Sequence, residues 1–131
     1  MKPILTVLKN TFAIYQLDPE SDMPSWFDKS DFFSITRTDE EISVICKQSD
    51  TTISGNFVSA ENRRIIKANG PFDLSMTGII AGMTSVLAKS KIAVFTVSTY
   101  NTDYILVEEK DLLQAVETFQ QNGYKVTFEK P

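Results

Sequence analysis

The chain has 131 residues, of which 42% are hydrophobic, and this suits one compact domain or two small subdomains that share a core. Thirteen basic and seventeen acidic residues give a net charge of -4, without the lysine and arginine stripe that a nucleic acid backbone requires. Histidine is absent and Cys46 is the single cysteine, which excludes His-dependent triads, disulfides within one chain and His/Cys zinc sites.

Targeting and membrane signals are weak throughout the sequence. The N-terminal segment MKPILTVLKN has too short an apolar stretch for a signal peptide and no small-residue cleavage site. No later segment approaches the roughly 20 apolar residues that span a bilayer. We therefore expect a cytoplasmic protein with neither nucleic acid nor membrane as a partner, and no metal or cofactor.

The N-terminal half predicts several strands with short or missing helices. The strands lie near residues 4–8, 12–17, 32–38 and 42–46, with a short helical turn near 24–28. Trp26 in that turn is expected to fill a core or an interface. Cys46 ends an apolar strand, and a buried thiol is favoured over a reactive one because no sequence neighbour would lower its pKa.

The C-terminal half begins with a β-like segment, residues 64–68, and a turn at Asn69-Gly70-Pro71. A helix follows, for which Asp73 or Ser75 is the expected N-cap. Its core-facing residues are predicted from their spacing to be Ile79, Ile80, Met83, Val86 and Leu87. Residues 92–97 are nearly continuous in apolar character, which is typical of a central strand, and residues 104–107 complete a hairpin.

A second helix is predicted to begin near Lys110 and to end at Asn122-Gly123. Its expected core residues are Leu112, Leu113, Val116 and Phe119. Alternation at residues 124–128 predicts a last strand. The order β-α-β-β-α-β is the ferredoxin-like arrangement of an α+β fold, with both helices on one face of an antiparallel sheet.

The hairpin at residues 98–107 has an earlier counterpart at residues 36–45, at a spacing of 62 positions. Each has a strand, a polar tip, an acid and a strand. At this spacing Glu41 lies opposite Asp103 and Thr38 opposite Tyr100. The repetition favours two halves of similar topology, one of them trimmed.

Three blocks in order carry a family resemblance: FSITRTDEEISVIC at 33–46, GPFDLSMTGII at 70–80 and STYNTDYILV at 98–107. They resemble the signature blocks of the CASTOR/GATS-like branch of the ACT domains. The resemblance implies two tandem ACT-like subdomains, a degenerate one at residues 1–62 with reduced helices and a second at residues 63–131. It also implies the sensing of a small molecule, usually an amino acid, without catalysis.

The resemblance places the ligand contacts at a helix start and a hairpin tip. The implied binding residues are Thr77, Gly78, Ile79, Thr99, Tyr100 and Asp103. The chemistry agrees, because free N–H groups at a helix N-terminus suit a carboxylate and an acid at a strand tip suits a cation. Asp103 would anchor the cation, while Gly78 and Ile79 would supply the main-chain side.

Plainer structural roles remain open for the same residues. Asp103 could be a turn acid that binds neighbouring amides. Gly78 and Gly82 could serve tight helix packing instead of ligand approach, and Tyr100 and Tyr104 could pack at a rim.

Two functions follow from these readings. The first is an amino-acid-binding regulatory module, expected to be a homodimer, whose pocket lies between its subdomains or between two copies. The alternative is a ligand-free dimerisation domain in which the hairpin tip is ordinary. The identity of the ligand stays open.

Overall fold

A computed structural model describes residues 2–22, 31–48, 56–73 and 75–131 of the chain. The strands in these residues are β1 (Leu5–Val7), β2 (Phe12–Leu17), β3 (Phe33–Arg37), β4 (Ile42–Lys47), β5 (Phe57–Ala68), β6 (Phe95–Ser98), β7 (Asp103–Glu108) and β8 (Val126–Phe128). The helices are α1 (Ile79–Lys89) and α2 (Leu112–Gln121), and a short 3-10 turn, Glu109–Asp111, leads into α2.

The chain divides into two compact units. The outer unit consists of Met1–Lys9 and Arg64–Pro131, and the inserted unit is Asn10–Arg63. The first strand is predicted to belong to the N-terminal subdomain, residues 1–62, but β1 pairs antiparallel with the end of β5 and parallel with β8. The first strand therefore belongs with the C-terminal half, and residues 10–63 are inserted after it.

The outer unit has the predicted ferredoxin-like plan with one additional strand. Its strands lie in the order β6-β7-β5-β1-β8, so that β1 separates the first and last strands of the β-α-β-β-α-β series. One core joins this sheet to α1 and α2. Its strand residues are Leu5, Val7, Ile66, Ala68, Ile105 and Val107. These alternate along their strands, which places both helices on one face of the sheet and confirms the predicted α+β fold.

The helices bury most of the residues that their periodicity predicts. Ile79, Met83 and Leu87 are buried in α1, and Leu112, Ala115, Val116 and Phe119 are buried in α2. Leu113 is the exception, because 72% of it is exposed. It lies one residue from Leu112, about 100° around the helix, and this takes it off the face that contacts the sheet.

The predicted cap of α1 is wrong, whereas the predicted end of α2 is confirmed. The N-cap of α1 is Gly78, at a φ of 83° that favours glycine. Asp73 instead accepts hydrogen bonds from the N–H and the hydroxyl of Ser75, within its own turn. At the end of α2 Asn122 is the C-cap, and Gly123 has a φ of 87°.

β6 is an edge strand, not the central strand that its sequence suggests. Among the described strands it pairs only with β7. The apolar run divides between two roles, since Ile92 packs in the core before the strand begins and Phe95, within the strand, is 42% exposed. An apolar run in sequence can therefore resemble a buried strand although part of it only fills the core before the strand begins.

The inserted unit has strands in the order β3-β4-β2-β5, and the first three of these repeat the order β6-β7-β5 of the outer unit. The helical turn expected at 24–28, with Trp26, lies outside the described residues. One sheet face is a core of Ala13, Tyr15, Leu17, Ile42, Val44 and Cys46. Cys46 is 4% exposed, and burial raises the pKa of its thiol to about 11, which confirms the buried-thiol prediction.

The two hairpins are equivalent at a spacing of 61 residues, so the predicted spacing of 62 is wrong. Arg37 pairs with Ile42, and Ser98 pairs with Asp103. In each turn a threonine N–H donates to a carbonyl three residues later, over 2.9 Å from Thr38 and 2.8 Å from Thr99. Glu41 is therefore equivalent to Thr102 and Ile42 to Asp103, because the turn bonds and not the acids mark equivalent positions.

The contrast between two α2 residues tests the core assignment. Phe119→Ala should lower the free energy of unfolding by about 3–5 kcal/mol, because it empties a fully buried position. Leu113→Ala, the matched control, should change it by less than about 0.5 kcal/mol. Urea denaturation followed by circular dichroism measures both, and equal losses would contradict the orientation of α2.

Candidate functional site

A cleft of about 220 Å³ lies in the outer unit, between the N-terminus of α1 with its preceding loop and the tip of the β6–β7 hairpin. The lining residues on the loop and helix side are Phe72, Asp73, Met76, Gly78, Ile79 and Ile80. Those on the hairpin side are Ser98, Thr99, Tyr100, Asn101, Thr102 and Asp103. The cleft thus brings together two segments about 25 residues apart in the chain.

Direct bonds join the two walls of the cleft at its base. The N–H of Phe72 donates to the carbonyl of Asn101 over 2.7 Å, and the Thr102 hydroxyl donates to the carbonyl of Ala68. Gly70 approaches the tip so closely that a Cβ there would lie 2.7 Å from the Asn101 carbonyl oxygen. The loop and the tip are therefore in direct contact.

The charged groups that line the cleft are both carboxylates. Asp103 is half-buried, and its Oδ1 accepts a hydrogen bond from the Ser98 hydroxyl over 2.5 Å. On the other wall, hydrogen bonds from the Ser75 hydroxyl and N–H hold the pKa of Asp73 below its ordinary value. No lysine or arginine is among the lining residues, so the cleft attracts cationic groups.

The helix start contributes the opposite polarity. The first bond of the α1 ladder in this region runs from the Gly82 N–H to the Gly78 carbonyl, over 2.9 Å. The N–H groups of the first turn, which include those of Ile79 and Ile80, precede this bond and have no acceptor within the helix. Such a helix end favours a negative group, so the cleft has complementary partners for both ends of a zwitterion.

The structure brings five of the six predicted site residues to this cleft. They are Gly78, Ile79, Thr99, Tyr100 and Asp103. Thr77 is not among the lining residues. Tyr100 is 78% exposed at the rim, and burial raises the pKa of Tyr104, which lies outside the lining. Ligand binding by these residues stays a prediction.

Seven of the twelve residues that line the cleft were not predicted as site residues, and Asp73 and Thr102 are two of them. Asp73 was assigned to a helix cap, although the Asp-x-Ser pattern is equally typical of a turn in which the acid binds an N–H two residues later. Thr102 was not selected, and no local pattern distinguishes it from the other polar residues of the tip.

The two glycines of the α1 region have separate explanations. Gly78 needs its positive φ, and open space surrounds it where a Cβ would project. At Gly82 a Cβ would lie 3.2 Å from the hydroxyl of Tyr124, which is buried in the core of the outer unit. Gly82 therefore serves helix packing, and Gly78 alone belongs to the cleft.

Two further features concern the part of the chain that the structure describes. None of its helices is both long and apolar enough to cross a membrane. Residues 2–22, 31–48, 56–73 and 75–131 also contain no group of three or more His, Cys, Asp or Glu side chains that could hold a metal ion.

Comparison with known families identifies both halves of the chain. The ACT domain model matches residues 58–121, and a second model, of an N-terminal domain, matches residues 10–59. Putative protein CASTOR3P of Homo sapiens is 33% identical over an alignment of 92 residues, and the match covers 62% of this chain and 56% of that protein. The chain thus spans a little over half the length of this curated relative.

Solved structures share the fold over most or all of the chain. The X-ray structure of protein Atu0741 from Agobacterium tumefaciens is 30% identical and covers 100% of this chain and 96% of its own, with a TM-score of 0.89. E. coli aspartokinase III in complex with aspartate and ADP is 16% identical, with a TM-score of 0.64 over 92% of this chain and 34% of its own.

The ligand-free regulatory subunit of aspartate kinase from Thermus thermophilus has a TM-score of 0.60 and 12% identity, over 89% of this chain and 97% of its own. At these identities the two aspartate kinase structures show the fold alone. The ACT domain model over residues 58–121 and the CASTOR-like relative agree with the three signature blocks, and the chain therefore contains an ACT domain and is CASTOR-like in sequence.

Proposed function

We propose that the protein is a cytoplasmic amino-acid-binding regulatory module without catalytic activity, and that the ligand binds in the cleft between the start of α1 and the β6–β7 tip. The observation that carries the proposal is the placement of a carboxylate, Asp103, across one small cleft from a helix N-terminus. An α-amino acid carries an ammonium group and a carboxylate group on the same carbon atom, and these two charges complement Asp103 and the helix N-terminus.

The size and charge of the cleft support a small zwitterionic ligand. Its volume of about 220 Å³ is below the roughly 300–1,000 Å³ of pockets for drug-sized molecules. The ammonium or another cationic group would bind Asp103, with Asp73 adding negative potential from the opposite wall. The ligand carboxylate would accept from the N–H groups at Gly78 and Ile79. Thr99 and Tyr100 would complete the rim, and Thr77, which precedes Gly78 and is not a lining residue, would contact the ligand only from outside the cleft.

Regulation is the role that the relatives suggest. The Thermus thermophilus protein is a regulatory subunit, and E. coli aspartokinase III has aspartate bound in its structure. We assign ligand binding to the C-terminal ACT subdomain, residues 63–131 together with β1, and a packing role to the degenerate N-terminal subdomain. The response to ligand would then be a change in assembly or in contact with a partner protein.

Thermal unfolding tests the proposal against the twenty amino acids. A ligand at 100 times its dissociation constant should add about 2.7 kcal/mol to stability and raise Tm by several degrees. Asp103→Asn should abolish this shift, because it removes the carboxylate that faces the cation. Asp39→Asn is the matched control, since it removes the same charge from the tip of the other hairpin and should keep the shift.

Two results would count against the binding function. One is no shift with any amino acid at millimolar concentration. The other is a shift that survives Asp103→Asn undiminished, which would place the ligand elsewhere.

A homodimer is the second proposal, and the exposed edge of the outer unit supports it. β6 has one described partner, exposes Phe95 and carries no charged side chain along FTVS. Natural edge strands are usually protected by charge, proline or a bulge. A second copy that adds its own β6 would cover Phe95 and continue the sheet. If the protein were only a dimerisation domain, this dimer would form without any ligand.

Light scattering after size exclusion measures this association. The wild-type protein should elute as a dimer at micromolar concentration, and Phe95→Lys should shift it to monomer by placing a like charge on each copy. Leu113→Lys is the control, because it changes an equally apolar exposed residue away from β6. A wild-type monomer at all concentrations, or a Phe95→Lys dimer, would contradict the proposed interface.

A further inference from the structure

We propose that Thr102 is a positioning residue that holds the two walls of the cleft at a fixed spacing, so that the site is formed before a ligand arrives. The importance of this spacing rests on the proposed function. The contacts themselves do not, and they can be tested without any ligand.

Thr102 is a polar residue in a buried position. It is 6% exposed, although the other lining residues of the tip are half-buried or exposed. Its hydroxyl donates to the carbonyl of Ala68, the last residue of β5. Burying a hydroxyl is unfavourable unless it is hydrogen-bonded, so this bond favours a single position of the tip against β5.

The backbone beside Thr102 completes the connection. The Thr102 N–H donates to the Thr99 hydroxyl over 3.3 Å, which closes the tip on itself. One residue earlier, the Asn101 carbonyl accepts the Phe72 N–H over 2.7 Å. Side chain and main chain at two successive residues thus bind the strand end and the loop that follows it.

The two cleft carboxylates lie next to these bonds. Asp103 directly follows Thr102, and Asp73 directly follows Phe72. A displacement of the tip from β5 would therefore change the distance between Asp103 and Asp73. A fixed spacing lowers the ordering cost of binding, because neither wall has to be organised by the ligand.

The equivalent position of the inserted unit has a different side chain. Glu41 takes the place of Thr102, is only half-buried, and accepts a hydrogen bond from the exposed Gln16 side chain over 3.2 Å. The turn is the same, but a buried hydroxyl on a strand carbonyl occurs at the outer-unit tip. Because the same turn forms with glutamate at this position, the turn itself does not require Thr102, and its buried bond to Ala68 serves to position the tip.

Hydrogen exchange of the full chain, read by NMR at single amides, tests the proposal. Thr102→Val keeps the shape of the side chain and removes the hydroxyl. We expect the Phe72 amide to exchange about fivefold faster or more, because its acceptor Asn101 becomes mobile, while Met83 and Leu87 amides stay unchanged. Thr102→Ser should restore protection of Phe72.

Thr118→Val is the matched control. Thr118 is the other buried threonine of the described residues, and its hydroxyl donates over 2.8 Å to a backbone carbonyl, that of Gln114 in α2. Its replacement should leave Phe72 exchange unchanged. Thr99→Ala, at an exposed position of the tip, removes the hydroxyl that accepts the Thr102 N–H, so this second variant should also speed Phe72 exchange.

The proposal is overturned if Phe72 exchange is unaffected in both tip variants, or if Phe72 and Met83 accelerate equally, which would mean general destabilisation. The same holds if Thr102→Ser behaves as Thr102→Val does. A failed amino-acid screen with selective loosening at Phe72 would instead reject the binding function and retain the positioning role.

Discussion

The pairing of β1 between β5 and β8 is the interaction on which the outer unit depends. Leu5 and Val7 are fully buried in its core, and both edges of this short strand are hydrogen-bonded to neighbours. β1 also holds the beginning of the cleft loop, since the Asn69 N–H donates to the Ile4 carbonyl and the Thr6 hydroxyl to Asn69 Oδ1, each over 2.9 Å. The loop that carries Asp73 is therefore anchored by a strand more than 60 residues away in sequence.

Local sequence patterns predicted the elements of the outer unit but not their neighbours. The 3.6-residue period located α1 and α2, and Asn122-Gly123 located the end of α2, because these signals act within a few residues. The place of β1, the edge position of β6 and the orientation of Leu113 depend on which surfaces meet. A sequence pattern cannot distinguish an apolar residue that fills a core from one that is exposed on an edge strand.

The residues that line the cleft could also be predicted only in part. The resemblance to ACT domains brought the helix start and the hairpin tip together, and five of its six residues line the cleft. Thr102 was missed because the acceptor of its hydroxyl, the Ala68 carbonyl, lies 34 residues away in sequence. Asp73 was missed because its bond to Ser75 is local, and the same pattern is compatible with a helix cap. Matching the acids of the two hairpins gave a spacing of 62, whereas the turn bonds that determine the backbone give 61.

The two units repeat a second turn as well as the hairpin tip. After the first strand of each, an aspartate Oδ1 accepts an N–H two residues later over 2.8 Å, at Asp18 and at Asp73. Its carbonyl accepts an N–H three residues later over 3.0 Å in both cases.

The backbone geometry of these turns is thus present twice, and the two units differ in side chains: a half-buried glutamate, Glu41, in the inserted unit and a buried threonine, Thr102, in the outer one. Because both units have the same turn bonds, these bonds do not explain why the tip of the outer unit is held more firmly against its neighbouring strand. The two units differ in how the hairpin tip is bound to the neighbouring strand: through the buried Thr102 hydroxyl in the outer unit and through the half-buried Glu41 carboxylate in the inserted unit. When a buried hydrogen bond opens, no water is available to replace it, whereas an exposed one can exchange its partner for water.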